Sequence, residues 1–149
     1  GGQVPLEQWF AAPREAGTRA GITFNFDRIT HAPNTTLSHQ LIALAPKEKR
    51  EAVIDAVYAA YFEHGQNIGA LDVLVALAAE QGMNAEATRA ALEDGAMRQA
   101  VLQEAQQAAQ LGVTGVPFFV VNNLYAFSGA QPPQMITQVL QQASQEISL

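Results

Sequence analysis

The stretch Leu111 to Gln131, LGVTGVPFFVVNNLYAFSGAQ, decides the fold, because it alone combines an unmistakable strand with a chemically particular loop. Pro117 to Val121 is an unbroken apolar run of aromatic and β-branched residues, and a strand that is apolar at every position is normally covered on both faces. Asn122 and Asn123 follow it. Asparagine tolerates positive φ, so the pair predicts a tight two-residue hairpin turn, with Leu124 to Phe127 as the returning strand. Thr114-Gly115-Val116-Pro117 places a proline at strand entry, where its missing N–H costs least. X–Pro bonds are mostly trans, so the isomer of the Val116–Pro117 bond is left open by the sequence.

Working outward, the segments on either side are helical. Gly112 ends a helix over Ala96 to Leu111, rich in alanine and glutamine, with Met97, Val101, Leu102, Ala105 and Leu111 available for packing. Pro132-Pro133 starts a last helix whose Ile136, Val139, Leu140, Ala143 and Ile147 form the inward face. Upstream, Asn84 caps a helix through Glu93, and Asp94-Gly95 is a turn. Leu71 to Gln81 is apolar almost all round and belongs in the centre of a helical core. A helix from Lys47 to His64 carries Val53, Ile54, Val57, Tyr58, Tyr61 and Phe62 as a broad apolar stripe and closes at Gly65. Another, capped by Asn34, runs to Pro46.

Nearer the start, Leu6, Trp9 and Phe10 have helical spacing, with Pro13 expected to kink or split that helix. Ile22, Phe24 and Phe26 alternate with polar residues as a short strand or extended segment. The inventory is awkward for a complete domain. So apolar a run as Pro117 to Val121 needs neighbouring strands and cover on both faces, and an open edge is an aggregation hazard. The rest of the chain supplies too little sheet.

Composition narrows the function. A length of 149 residues, 48% hydrophobic and only 15% charged, suits one packed domain. The net charge of -6 is spread along the chain, which argues against a nucleic-acid or anionic-membrane surface. No apolar segment reaches membrane-spanning length and no signal-like segment opens the chain, so the expectation is a cytoplasmic protein. The absence of cysteine excludes disulfides, thiolate metal sites and thiol chemistry by these residues. His31, His39 and His64 have no partners at metal-ligand spacing. No G-x-S-x-G elbow, Walker loop or G-x-G-x-x-G is present. The aromatic residues Trp9, Tyr58, Tyr61, Phe62, Phe118 and Phe119 fall on apolar faces and read as core.

The wording Gly-Val-Thr-Gly-Val-Pro-Phe-Phe-Val, an asparagine turn, then Tyr-Ala-Phe-Ser-Gly-Ala-Gln-Pro-Pro, resembles the C-terminal half of the DsbA-like thioredoxin-fold oxidoreductases, with the FrnE-like branch nearest. Gly21 to Asp27, Asn34-Thr35 with His39, Ala59 to Phe62 and Asn67-Ile68-Gly69 extend the likeness over nearly the whole chain. The resemblance implies an α/β thioredoxin-like fold with a helical insertion, here mostly α with a C-terminal β-hairpin plus helix and an incomplete sheet. Residues 1–111 would be the helical insertion region and 112–149 the C-terminal hairpin and helix, together one compact domain. Such proteins begin with a strand and a Cys-x-x-Cys helix. Gly1 stands where their helical part would start, so the expectation is a processed or truncated chain, inactive alone.

The resemblance further implies that Thr114, Gly115, Val116 and Pro117 form the cis-proline loop that binds an extended thiol- or disulfide-containing protein or peptide, with His39 as a further substrate-binding residue and no cofactor. Taken alone, a histidine near a helix start is more often a hydrogen-bonded structural residue. An alternative is a relative of the 2-hydroxychromene-2-carboxylate isomerases and kappa-class glutathione transferases, with glutathione as cofactor. A third is a non-catalytic module that forms a homodimer by strand pairing at the open sheet edge.

Overall fold

A computed structural model describes the backbone of residues 6–30 and 32–146. The chain falls into two compact units, Gly1–Gln103 and Glu104–Leu149. Each is taken by itself.

The first unit is helical. In order it holds α1 (Leu6–Ala20), a 3-10 turn (Phe26–Arg28), α2 (Thr36–Leu44), α3 (Lys47–Phe62), α4 (Leu71–Glu80) and α5 (Ala85–Asp94). Helices α2 to α5 pack on one another around Leu41, Val53, Val57, Leu74, Ala78 and Leu92, all buried. The apolar segment 71–81 takes the central place its composition predicts. Both Leu74 and Ala78, one turn apart on α4, are 0% exposed. Asn84 caps α5 as expected, its side-chain oxygen accepting from the Ala87 N–H at 2.8 Å. At α2 the N-cap is Thr35, one residue beyond the expected Asn34; Asn34 Oδ1 still accepts from the Thr36 N–H at 2.9 Å.

Two expectations change here. Helix α1 runs unbroken through Pro13. The proline is exposed, and its missing N–H costs the helix one backbone hydrogen bond without ending it. Ile22 to Asn25 has no regular secondary structure and pairs with no strand. Asn25 instead serves the end of α3: its backbone N–H donates to Phe62 O at 2.8 Å and its side-chain Nδ2 donates to Glu63 O at 2.7 Å. Carbonyls at a helix C-terminus need partners, and this segment supplies them. Phe24 and Phe26 then join a ring cluster, Phe26 stacked on Phe10 at 4.5 Å and Phe24 edge-on to Phe62 at 5.6 Å. Tyr58, read as core, is 60% exposed.

The second unit holds β1 (Phe118–Val121), β2 (Tyr125–Ser128) and α7 (Pro133–Glu146). The division between the units falls within α6 (Arg98–Gln110), where Leu102 is 50% exposed. The two strands pair antiparallel, Phe119 opposite Phe127 and Val121 opposite Tyr125. Asn122 and Asn123 have φ of 54° and 56°, as a hairpin turn requires, and the Leu124 N–H closes on Val121 O at 3.0 Å. The loop is nevertheless one residue longer than predicted: Leu124 lies between the paired positions rather than in β2. On α7, Ala143 is buried and Ile136 and Val139 are partly buried, but Leu140, expected on that face, is 51% exposed. Ile147 lies outside the described residues.

Candidate functional site

Helix α6 ends at a glycine that turns the chain toward the loop. The Val113 N–H bonds back to Ala108 O at 3.1 Å and the Gly112 N–H to Ala109 O at 3.0 Å, with Gly112 at φ 79°. This paired closure needs a left-handed residue at its centre, a conformation glycine adopts without a Cβ clash. Thr114, Gly115, Val116 and Pro117 come next as one exposed loop leading straight into β1. The Val116–Pro117 bond is cis, and Val116 is 89% exposed. At the far side, Pro117 O accepts from the Gly129 N–H at 2.8 Å, which ties the base of the loop to the end of β2.

The unused groups of the loop matter more. Among the described residues, no hydrogen bond engages the backbone of Thr114, Gly115 or Val116. A Cβ built on Gly115 would meet nothing within 4 Å, so the loop is open on that side too. Strand β1 pairs only with β2, so its second edge is unpaired among the described residues. An exposed loop with free N–H and C=O groups, continuous with an open strand edge, can accept an extended chain by main-chain hydrogen bonds.

His39 belongs to the first unit. It sits in the second turn of α2, its N–H bonded to Thr35 O at 3.0 Å and its side chain exposed. It borders a cavity of about 560 Å³ between α2, α3 and the segment before α2. Sequence reasoning singled out His39 but missed that cavity, whose walls come from three separated stretches. Among the described residues no group of His, Cys, Asp and Glu could hold a metal ion. No described helix is long and apolar enough to cross a membrane.

Residues 6–141 match the family model of the DSBA-like thioredoxin domain. The chain belongs to that family. It is 36% identical in sequence to the crystal structure of a probable DsbA oxidoreductase, SCO1869, from Streptomyces coelicolor, and superposes on it with a TM-score of 0.80. That match covers 96% of this chain and 63% of that one. It is also 28% identical over 120 residues to the uncharacterized protein YwbO of Bacillus subtilis (strain 168), a match covering 77% of this chain and 58% of YwbO. The chain thus spans about three fifths of the length of these relatives. The fold is DsbA-like and mostly helical, with a two-stranded antiparallel sheet near its C-terminus that does not close.

Proposed function

We propose that this chain is the substrate-binding portion of a DsbA-family protein thiol–disulfide oxidoreductase of the FrnE-like type, with Thr114 to Pro117 as its cis-proline substrate loop. The observation that carries this is the unengaged backbone of Thr114, Gly115 and Val116 at the head of an open strand edge. A disulfide-containing substrate must present its sulfur in an extended, accessible segment. Main-chain pairing to this loop would hold such a segment whatever its side chains.

In thiol–disulfide exchange a thiolate attacks one sulfur of the substrate disulfide, the other leaves as a thiolate, and a second thiol resolves the mixed disulfide. This sequence has no cysteine. Its part in the reaction is therefore binding and orientation, and we assign His39 to the same reading as a further substrate contact. Binding can be tested without the chemistry. Titrating the isotope-labelled chain with an unstructured peptide containing a disulfide should move the amide resonances of Thr114 to Phe119 saturably, and a contact at His39 should show as a shift of its own imidazole resonances. Binding that leaves those amides unmoved would overturn the assignment. The chain alone is expected to show no turnover in insulin reduction; turnover would mean that the chemistry is not that of thiols.

A further inference from the structure

The cavity beside His39 is lined by residues of the first unit, so it does not rest on the loop at Pro117, and it shares only His39 with the exchange reading. Its apolar lining includes Ile42, Ile54, Val57 and Ile68, with the aromatic side chains of Tyr58, Tyr61 and Phe62. Of these only Val57 and Ile68 are buried, whereas Ile42, Ile54 and Phe62 remain partly open and Tyr58 is 60% exposed. Protein interiors close such space, leaving few voids larger than a water molecule. Here the packing of α2 against α3 leaves about 560 Å³ open, a volume within the range of small-molecule sites, roughly 300–1,000 Å³.

The chemistry of the walls is specific in one respect. Among the described residues no lysine, arginine, aspartate or glutamate lines the cavity. The polar side chains on the α2 side are Thr35, at the N-cap, with Ser38 and His39, while α3 contributes the hydroxyls of Tyr58 and Tyr61. The Ser38 hydroxyl donates to Thr35 O at 2.9 Å, so it is held in place rather than turned to water. A charged ligand entering this space would lose hydration and meet no counter-charge, a cost that excludes it. An uncharged ring system meets aliphatic walls and the three aromatic side chains of Tyr58, Tyr61 and Phe62. The imidazole of His39 can donate to or accept from a single polar group on it.

We propose that this cavity is a binding site for an uncharged, apolar small molecule of one to three rings carrying one hydrogen-bonding group, its rings between Tyr58, Ile54 and Ile68 and its polar group at His39. The cavity differs in this from the other clefts of the unit. The larger one, between α3 and α4, is bordered by His64, Asp72 and Glu80 and suits no neutral apolar ligand.

The test uses the full chain, with methyl-labelled isoleucine, leucine and valine, and neutral N-phenyl-1-naphthylamine as probe. One-to-one saturable binding is expected, with methyl shifts at Ile42, Ile54, Val57 and Ile68, and with the sulfonated analogue 8-anilinonaphthalene-1-sulfonate at least about tenfold weaker at those methyls. Ile54→Trp fills the space and Tyr58→Ala removes a wall; each should weaken the probe by about tenfold or more. Because Tyr58 is exposed, its variant should keep the wild-type circular dichroism even where a filled cavity disturbs packing. The proposal is overturned by an absence of saturable binding, by shifts confined to the hairpin methyls of Val116, Val120 and Leu124, or by tighter binding of the sulfonate.

Discussion

The rings of Phe119 and Phe127 stack across the hairpin with centroids 4.9 Å apart and planes within 20°, yet Phe119 remains 40% exposed. The two are register partners on neighbouring strands, so their contact is the local unit of sheet stabilisation. On the other face Val120 is 49% exposed. Neither face of β1 is covered to the depth that its composition calls for, since FFVV has no polar side.

Self-association is the expected consequence of that edge. We expect the wild-type chain to form reversible dimers at high concentration through strand pairing, and Val120→Lys to abolish them while changing stability by no more than about 0.5 kcal/mol. Sedimentation velocity across a concentration series measures this. A wild-type chain that stays monomeric throughout would remove strand pairing as a mode of assembly.

Two glycines separate packing from openness. A Cβ on Gly65 would lie 2.5 Å from Arg28 Cβ and 2.5 Å from Arg28 O, and its φ is +65°. Gly65→Ala should therefore cost about 1–3 kcal/mol or more, read as a lower midpoint in urea. Gly115, whose Cβ would meet nothing, should accept alanine within about 0.5 kcal/mol.

Core and surface leucines should diverge as sharply. Leu74 is 0% exposed at the centre of the helical unit, and Leu74→Ala is expected to cost about 2–5 kcal/mol. Leu140→Ala, at a residue 51% exposed, should stay within about 0.5 kcal/mol. Denaturant melts of both variants, monitored by far-ultraviolet circular dichroism, provide the comparison. Equal costs would mean that Leu140 is covered in solution.

Val116→Pro tests the loop chemically. It deletes an N–H that bonds to nothing in this structure, so no hydrogen bond of the fold is lost. If an extended substrate accepts that donor, affinity for a disulfide peptide should fall about five- to tenfold by calorimetry. Unchanged affinity would place the substrate's main-chain bonds elsewhere.

Asn84→Ala should cost about 1 kcal/mol, because the Asn84 side chain satisfies the Ala87 N–H at the start of α5. A thermal melt of this variant isolates the cap, since Asn84 is exposed and buries little else.

The helices, their stops and the hairpin were legible in the sequence because they depend on near neighbours. Apolar spacing marks Leu71 to Gln81, Asn84 caps the next helix, and Asn122-Asn123 adopt the positive φ that turns the strand. The family wording likewise sits in one continuous stretch around Pro117. Exposure is different, because it depends on which elements meet. Tyr58, Phe119, Val120 and Leu140 all lie on stripes that read as core, and the packing leaves each of them open. Ile22 to Phe26 alternates like a strand, but strand formation needs a partner, and Asn25 found the carbonyls at the end of α3 instead. Only the tertiary structure placed Ile42, Ile54 and Ile68 around one cavity, since residues so far apart in the chain share no local signal.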